Sequence, residues 1–150
     1  MSGYVASYVC GVRDRHHDNI LVTNDGRLFN IDFAYILGEK LGGLDAAKIA
    51  IPKKFVKVLG QDKWTKFVEI AVICYSVLRR NYLELLDFSR LLFAFMNATE
   101  ENDKYIEKSL SIHMEEAEAL QDIRAKLEKA PTLWKTKMKN AIHSIAVKRL

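Results

Sequence analysis

Proline and glycine are scarce in this chain. Two prolines and seven glycines in 150 residues argue against a sandwich or barrel, which needs a tight turn roughly every ten residues. Cysteine is scarcer still. Cys10 and Cys74 stand alone, with no Cys-x-x-Cys pair, so neither a disulfide framework nor a zinc site is indicated and a reducing compartment is the default. Long apolar runs are missing too. The longest uncharged stretch in mid-chain, Ile70–Leu78, is bounded by Glu69 and Arg79 and is far too short to span a bilayer. Met1-Ser2-Gly3-Tyr4 shows no basic segment followed by an apolar one, so no secretory signal is visible.

What is present is a globular composition. Apolar residues make up 49% and charged residues 28%, enough for one domain with one sizeable core and too little chain for two ordinary domains. Leu, Ala, Lys and Glu dominate the second half, which favours helices. The net charge is +4 and unevenly placed. Residues 100–128 carry nine acids against four bases, whereas 132–150 carry Lys135, Lys137, Lys139, Lys148 and Arg149 and no acid. By charge alone such a tail suits an anionic membrane surface, a nucleic acid or simply a solvated helix face.

The first ten residues are apolar with small residues interleaved, and periodicity leaves helix and strand both open. Gly11 breaks that pattern. Residues 13–19, Arg-Asp-Arg-His-His-Asp-Asn, contain no apolar side chain. Two β-prone runs, Ile20–Val22 and Leu28–Ile31, flank Asn24-Asp25-Gly26 and read as a hairpin. Residues 38–60 read as a loop on their glycines and Pro52, with Lys53 and Lys54 near the start of the next helix. Trp64, Phe67, Val68, Ala71, Cys74, Tyr75 and Leu78 recur at three- and four-residue steps, a helical stripe. A second helix over about Tyr82–Met96 is apolar enough to predict that it is largely buried. Further helices are expected at about Asp103–Leu110, Met114–Lys129 and Thr132–Arg149, with Pro131 suited to the start of the last. Trp64, Phe67, Phe93 and Phe95 are read as core. The fold class is mostly α: one hairpin followed by an all-helical block.

Hairpins bring their two ends together, so Asn19, just before the first strand, should neighbour Asp32, just after the second. A carboxylate and an amide oxygen form a good partial shell for Mg²⁺, which takes few protein ligands and keeps water or substrate phosphates. Asp14, five residues before Asn19, would sit beside that ion. This layout resembles phosphoryl transfer in protein kinases: a catalytic Asp, a metal-binding Asn, a hairpin and an Asp-Phe-Gly segment.

Here the triplet runs Asp14-Arg15-His16. In GVRDRHHDNILVTNDGRLFNIDFAYILG, residues 11–38, that order closely resembles the catalytic loop and metal-binding segment of the phosphatidylinositol 3- and 4-kinase family. Tyr35-Ile36-Leu37-Gly38 is similar to the continuation in its class III, vacuolar-type members. The likeness extends through Phe67–Met96, with the Arg79-Arg80-Asn81 junction, to the basic Trp134–Leu150. The resemblance implies the C-lobe of a kinase-like fold over 1–150, with ATP and Mg²⁺ (or Mn²⁺) as cofactors. It implies that Asn19 and Asp32 hold the metal and hence the ATP phosphates. His16 would take the proton from an inositol hydroxyl, Asp14 would orient it, and Arg15 would brace the loop. Two positions depart from the family. Arg13 stands where the family usually has Gly, and a positive φ there would cost about 1 kcal/mol or more. Ala34 replaces the Gly of Asp-Phe-Gly.

The N-lobe, with its phosphate-covering loop and Lys, does not fit in the twelve residues before Arg13. The resemblance therefore implies half of a catalytic domain, with an apolar surface exposed where upstream parts would pack. Lys40 and Lys48 are the candidate headgroup contacts, and such sparse charge favours plain phosphatidylinositol over its bisphosphate; the class III likeness implies the 3-hydroxyl. Partners would be that lipid, an anionic membrane surface and the missing N-lobe or a regulatory subunit, with no nucleic acid. Trp134, Met138, Ile142 and Ile145 share one face of the expected last helix, which suits either a membrane interface or core packing. Localisation would be cytoplasmic, peripheral to endosomal-type membranes. Two other functions stay open: a non-catalytic, truncated pseudokinase lobe that binds a partner, and a protein kinase of the same superfamily.

Overall fold

The stripe read between Trp64 and Leu78 forms the central element of the structure. That structure, a computed structural model, describes residues 2–13, 19–24, 28–37, 48–49, 51–94 and 99–132. In chain order the elements are α1 (Ser2–Val9), β1 (Ile20–Val22), β2 (Leu28–Asn30), α2 (Lys53–Leu59), α3 (Gln61–Arg80), α4 (Tyr82–Phe93), α5 (Thr99–Ser109) and α6 (Glu116–Lys129). A short 3₁₀ turn, Ala130–Thr132, follows α6. The expected class, mostly helical with one hairpin, is the one that forms.

α3 buries Trp64, Phe67, Val68, Ala71, Val72 and Tyr75 on one face. Against it pack Val5, Tyr8 and Val9 of α1, and Ala119, Ile123 and Leu127 of α6. Ala71 and Ala119 are wholly buried, and side chains this small let the helices approach closely. Ile123 and Leu127, also fully buried, contribute about 1.5–3 kcal/mol each. Arg79 and Arg80 lie in the last turn of α3, where cations suit the helix dipole. Asn81 ends α3 by donating its side-chain amide to the Val77 carbonyl at 2.7 Å.

α3 also fixes the turn between α5 and α6. The Arg79 guanidinium donates to the carbonyls of Ser111 and Met114, and the Tyr75 hydroxyl donates to the Ser109 carbonyl at 3.1 Å. Glu116, at the start of α6, accepts from Arg80 and from Ser76. The Arg80 bond, then the Ser76 bond, hold the Glu116 carboxyl below the usual carboxylate range.

Three expectations need correction. α4 is not largely buried: Leu86 and Ser89 are, but Leu83, Phe88, Leu91 and Leu92 are 58–72% exposed. α4 packs chiefly along α5 and touches α3 at its start. Apolar content alone cannot bury a helix that has neighbours on one side. The helix expected to start at Lys53 and Lys54 does so and runs to Leu59, so the loop read over 38–60 does not extend to Gly60; Phe55 and Val56 pack against the core. The helix expected from Asp103 begins at Thr99, with Glu100 and Glu101 in its first turn, where acids are favoured. Trp64 and Phe67 are core as read, and Phe93 is half-buried. Phe95, Met96 and the helix expected over Thr132–Arg149 lie outside the described residues, apart from Thr132 itself.

Candidate active site at the hairpin base

β1 and β2 pair antiparallel, with Ile20 opposite Asn30, Leu21 opposite Phe29 and Val22 opposite Leu28. One further rung forms at the base, where the Ile31 amide donates to the Asn19 carbonyl at 3.0 Å. Asn19 is therefore opposite Ile31, and Asp32 follows directly. The backbone brings the two expected metal ligands to the same end of the hairpin. Asn19 is buried and Asp32 exposed.

Asp32 has φ of 62°, in the left-handed region that Asp and Asn tolerate better than most residues. Its Oδ1 accepts from the Ala34 amide at 3.1 Å, the local turn that an Asp side chain stabilises. Neither Arg13 nor Ala34 has a positive φ, so the strain foreseen for a side chain at position 13 does not arise. The left-handed residue before the loop is Gly11, at φ 60°.

The segment after Asp32 runs back along the exit from α1. The Arg13 amide donates to the Tyr35 carbonyl at 2.9 Å, and the Leu37 amide donates to the Cys10 carbonyl at 2.8 Å. The polar loop thus leaves from Arg13, tied to Tyr35, and returns at Asn19, tied to Ile31. Both its ends are bonded to the segment that carries Asp32. Asp14, Arg15 and His16 lie outside the described residues.

Two oxygen donors, one an amide and one a carboxylate, suit a hard ion that fills its shell with water and phosphate. Among the described residues, no three or more His, Cys, Asp or Glu side chains gather as metal ligands do. The donor chemistry of Asn19 and Asp32 fits Mg²⁺, which these two residues would hold.

Lys48 sits with its Nζ 6.0 Å from the centre of the Tyr105 ring. Partial burial, then the charges of Arg13, Lys108 and Lys126, push its pKa down. Lys48 also lines a small cavity behind the hairpin, together with Ser7, Val12, Ile20 and Asn30. Lys40 lies outside the described residues. Beside the site, Leu21, Phe29, Ile31, Phe33 and Tyr35 are 37–55% exposed, an apolar surface of the kind expected where other parts would pack.

Sequence reasoning missed Ser7 and Asn30, whose side chains meet across 23 positions: Asn30 Nδ2 donates to Ser7 Oγ at 2.6 Å. Neither residue sits in a motif, and no local signal pairs them. It also missed the part Gly11 plays, although a glycine ending an apolar run is a known stop signal for a helix.

The family model for "Phosphatidylinositol 3- and 4-kinase" matches residues 3–100 of this chain. Similar proteins include "Phosphatidylinositol 3-kinase 1" of Dictyostelium discoideum, 32% identical over 160 residues that take in 97% of this chain and 10% of that protein. "Phosphatidylinositol 3-kinase VPS34" of Saccharomyces cerevisiae is 37% identical over 95 residues, 61% of this chain and 11% of that protein. Its namesake in Arabidopsis thaliana is 35% identical over 95 residues, covering 61% and 12%. The chain spans about a tenth of the length of these relatives.

Proposed function

We propose, because the chain belongs to the phosphatidylinositol 3- and 4-kinase family, that it is the C-lobe half of a lipid-kinase catalytic domain. It transfers the γ-phosphate of ATP to an inositol hydroxyl of phosphatidylinositol once an N-lobe completes the site. The observation that carries this reading is the double tie of the 13–19 loop to the Asp32 segment, at Tyr35 and at Ile31.

In this reading Asn19 and Asp32 hold Mg²⁺, which when bound neutralises charge on the phosphate oxygens. His16 takes the proton of the attacking hydroxyl, whose oxygen forms the new bond to the γ-phosphorus. The bond from that phosphorus to the bridging oxygen breaks, and ADP leaves with the electron pair. Asp14 orients the hydroxyl and Arg15 braces the loop. The names of the relatives favour the 3-hydroxyl as acceptor, and the sparse charge of Lys40 and Lys48 favours plain phosphatidylinositol over more highly phosphorylated headgroups. The exposed apolar surface of Leu21, Phe29, Ile31, Phe33 and Tyr35 receives the N-lobe and the nucleotide base.

Among the described residues, no helix is long and apolar enough to cross a membrane. The reading places the protein at the cytoplasmic side of endosomal-type membranes, held there by lipid headgroups, the basic tail and a regulatory subunit.

The test is phosphate transfer from radiolabelled ATP to phosphatidylinositol vesicles. The 150-residue chain alone should transfer none, since phosphoryl transfer depends on positioning and charge stabilisation that half a site lacks. The chain joined to an upstream N-lobe should transfer label, and product mapping should place it on the 3-hydroxyl. An exposed apolar surface serves equally well in a partner-binding lobe without catalysis. That second reading wins if the completed domain turns over no ATP.

A further inference from the structure

We propose that Ser7 is a positioning residue for the metal-binding turn, holding Asp32 in its left-handed conformation through Asn30. The proposal rests on the reading of Asn19 and Asp32 as the metal ligands. A non-glycine residue at positive φ persists only where its surroundings over-determine it, and such strain gathers at functional sites. At φ 62° Asp32 needs that support.

Support comes from both sides. Downstream, the backbone is pinned by Tyr35 to Arg13 and by Leu37 to Cys10. Upstream, Asn30 is bonded through its side chain to Ser7 at 2.6 Å. Besides the ladder bond from Ile31 to Asn19, these three anchors are on one continuous segment, Ser7–Arg13, which is the end of α1 and the residues after it. That segment is a firm post, because Val5, Tyr8 and Val9 are at most 4% exposed in the core.

Asn30 lies two residues before Asp32 and opposite Ile20 in the ladder. A shift of β2 relative to α1 therefore reaches Asp32 directly. The Ser7–Asn30 bond lines the small cavity behind the hairpin, with Tyr4, Val12 and Ile49 among its walls. Apolar walls limit competition from water and strengthen the bond. The two downstream anchors are backbone bonds, which substitution leaves in place. The Ser7 anchor is made of side chains, so removing it isolates its effect. A partner that orients a metal ligand is worth ten- to a hundredfold in affinity.

The experiment uses the whole 150-residue chain, with Mn²⁺ as the probe. Ser7→Ala should weaken Mn²⁺ binding about tenfold, read from the spectrum of free Mn²⁺. Without metal, the Ala34 amide, which donates to Asp32 Oδ1, should exchange with solvent several-fold faster. Amides of α3 and α6 should keep their protection, and Ser7→Thr, which keeps the hydroxyl, should restore both readings.

Unchanged Ala34 exchange and Mn²⁺ affinity in Ser7→Ala, with Asp32→Gly binding no Mn²⁺, overturns the positioning role and leaves the metal reading standing. Loss of protection throughout α3 and α6 also overturns it, since Ser7 would then be a general stability residue. Wild-type Mn²⁺ affinity in Asp32→Gly, or no Mn²⁺ bound by the unaltered chain, removes the metal reading and the proposal with it.

Discussion

Replacing Asp32 should lower lipid phosphorylation by the completed domain on the order of a thousandfold or more. Asp32 is the one carboxylate in the proposed ligand pair, so its loss leaves an amide oxygen to hold a divalent ion. Two variants separate chemistry from folding. Asp32→Ala removes the carboxylate and places a methyl at φ 62°, which costs about 1–2 kcal/mol. Asp32→Gly removes the carboxylate at a φ that glycine adopts freely. Both should be equally inactive; both lose the bond from the Ala34 amide, and the alanine variant should lose more stability because it alone adds backbone strain. Initial rates on phosphatidylinositol vesicles and thermal unfolding decide the matter. Activity in Asp32→Gly within about tenfold of the unaltered protein would remove Asp32 from the site.

Gly11→Ala should be the most damaging single methyl in the described part of the chain. Gly11 has φ 60°, and a Cβ there would lie 2.6 Å from both Cε1 and Cζ of Tyr105. Real Cβ atoms do not come that close, so either the ring or the exit from α1 has to move. Backbone strain of about 1–2 kcal/mol adds to overpacking of about 1–3 kcal/mol. For a chain of this size the sum lowers the unfolding midpoint by about 10 °C. Pairing Gly11→Ala with Tyr105→Ala should recover the steric part and leave the strain, which a double-mutant cycle reads directly. Strict additivity of the two changes would show that the ring is not what excludes a side chain at position 11. Because Lys48 lies over the same ring, any shift of Tyr105 should reach Lys48 as well.

Much of the fold was legible because its signals are local. The Asn24-Asp25-Gly26 turn between two apolar runs announced β1 and β2 to within a residue. The three- and four-residue recurrence from Trp64 to Leu78 announced α3 and its buried face. The placement of Asn19 before one strand and Asp32 after the next foretold that both would lie at the hairpin base, since antiparallel pairing leaves little choice.

The rest was hidden because it depends on what meets what in three dimensions. The burial of α4 was misjudged from Leu83, Leu91 and Leu92, whose exposure is set by which neighbours the helix has, not by its own composition. The start of the helix at 53–59 was legible in Lys53 and Lys54 after Pro52, but Gly60, read as part of one long loop, hid its extent and in fact ends it. The positive φ of Asp32 and the Ser7–Asn30 bond come from tertiary ties with no trace in spacing. Arg13 shows the converse. Its departure from the family pattern suggested strain, but the left-handed residue is Gly11, two positions earlier.

Asn19 and Asp32 are proposed to form a divalent-metal site at the hairpin base. Paramagnetic broadening by substoichiometric Mn²⁺, mapped over the backbone amides of the chain, tests it most directly, because the acid-rich stretch 100–128 offers a rival destination for any cation. Asn19, Ile20 and residues 31–34 should broaden first and together, α5 and α6 should remain sharp, and Asp32→Gly should abolish the pattern. Broadening centred on α5 or α6, with Asn19 and Asp32 unaffected, would contradict that assignment.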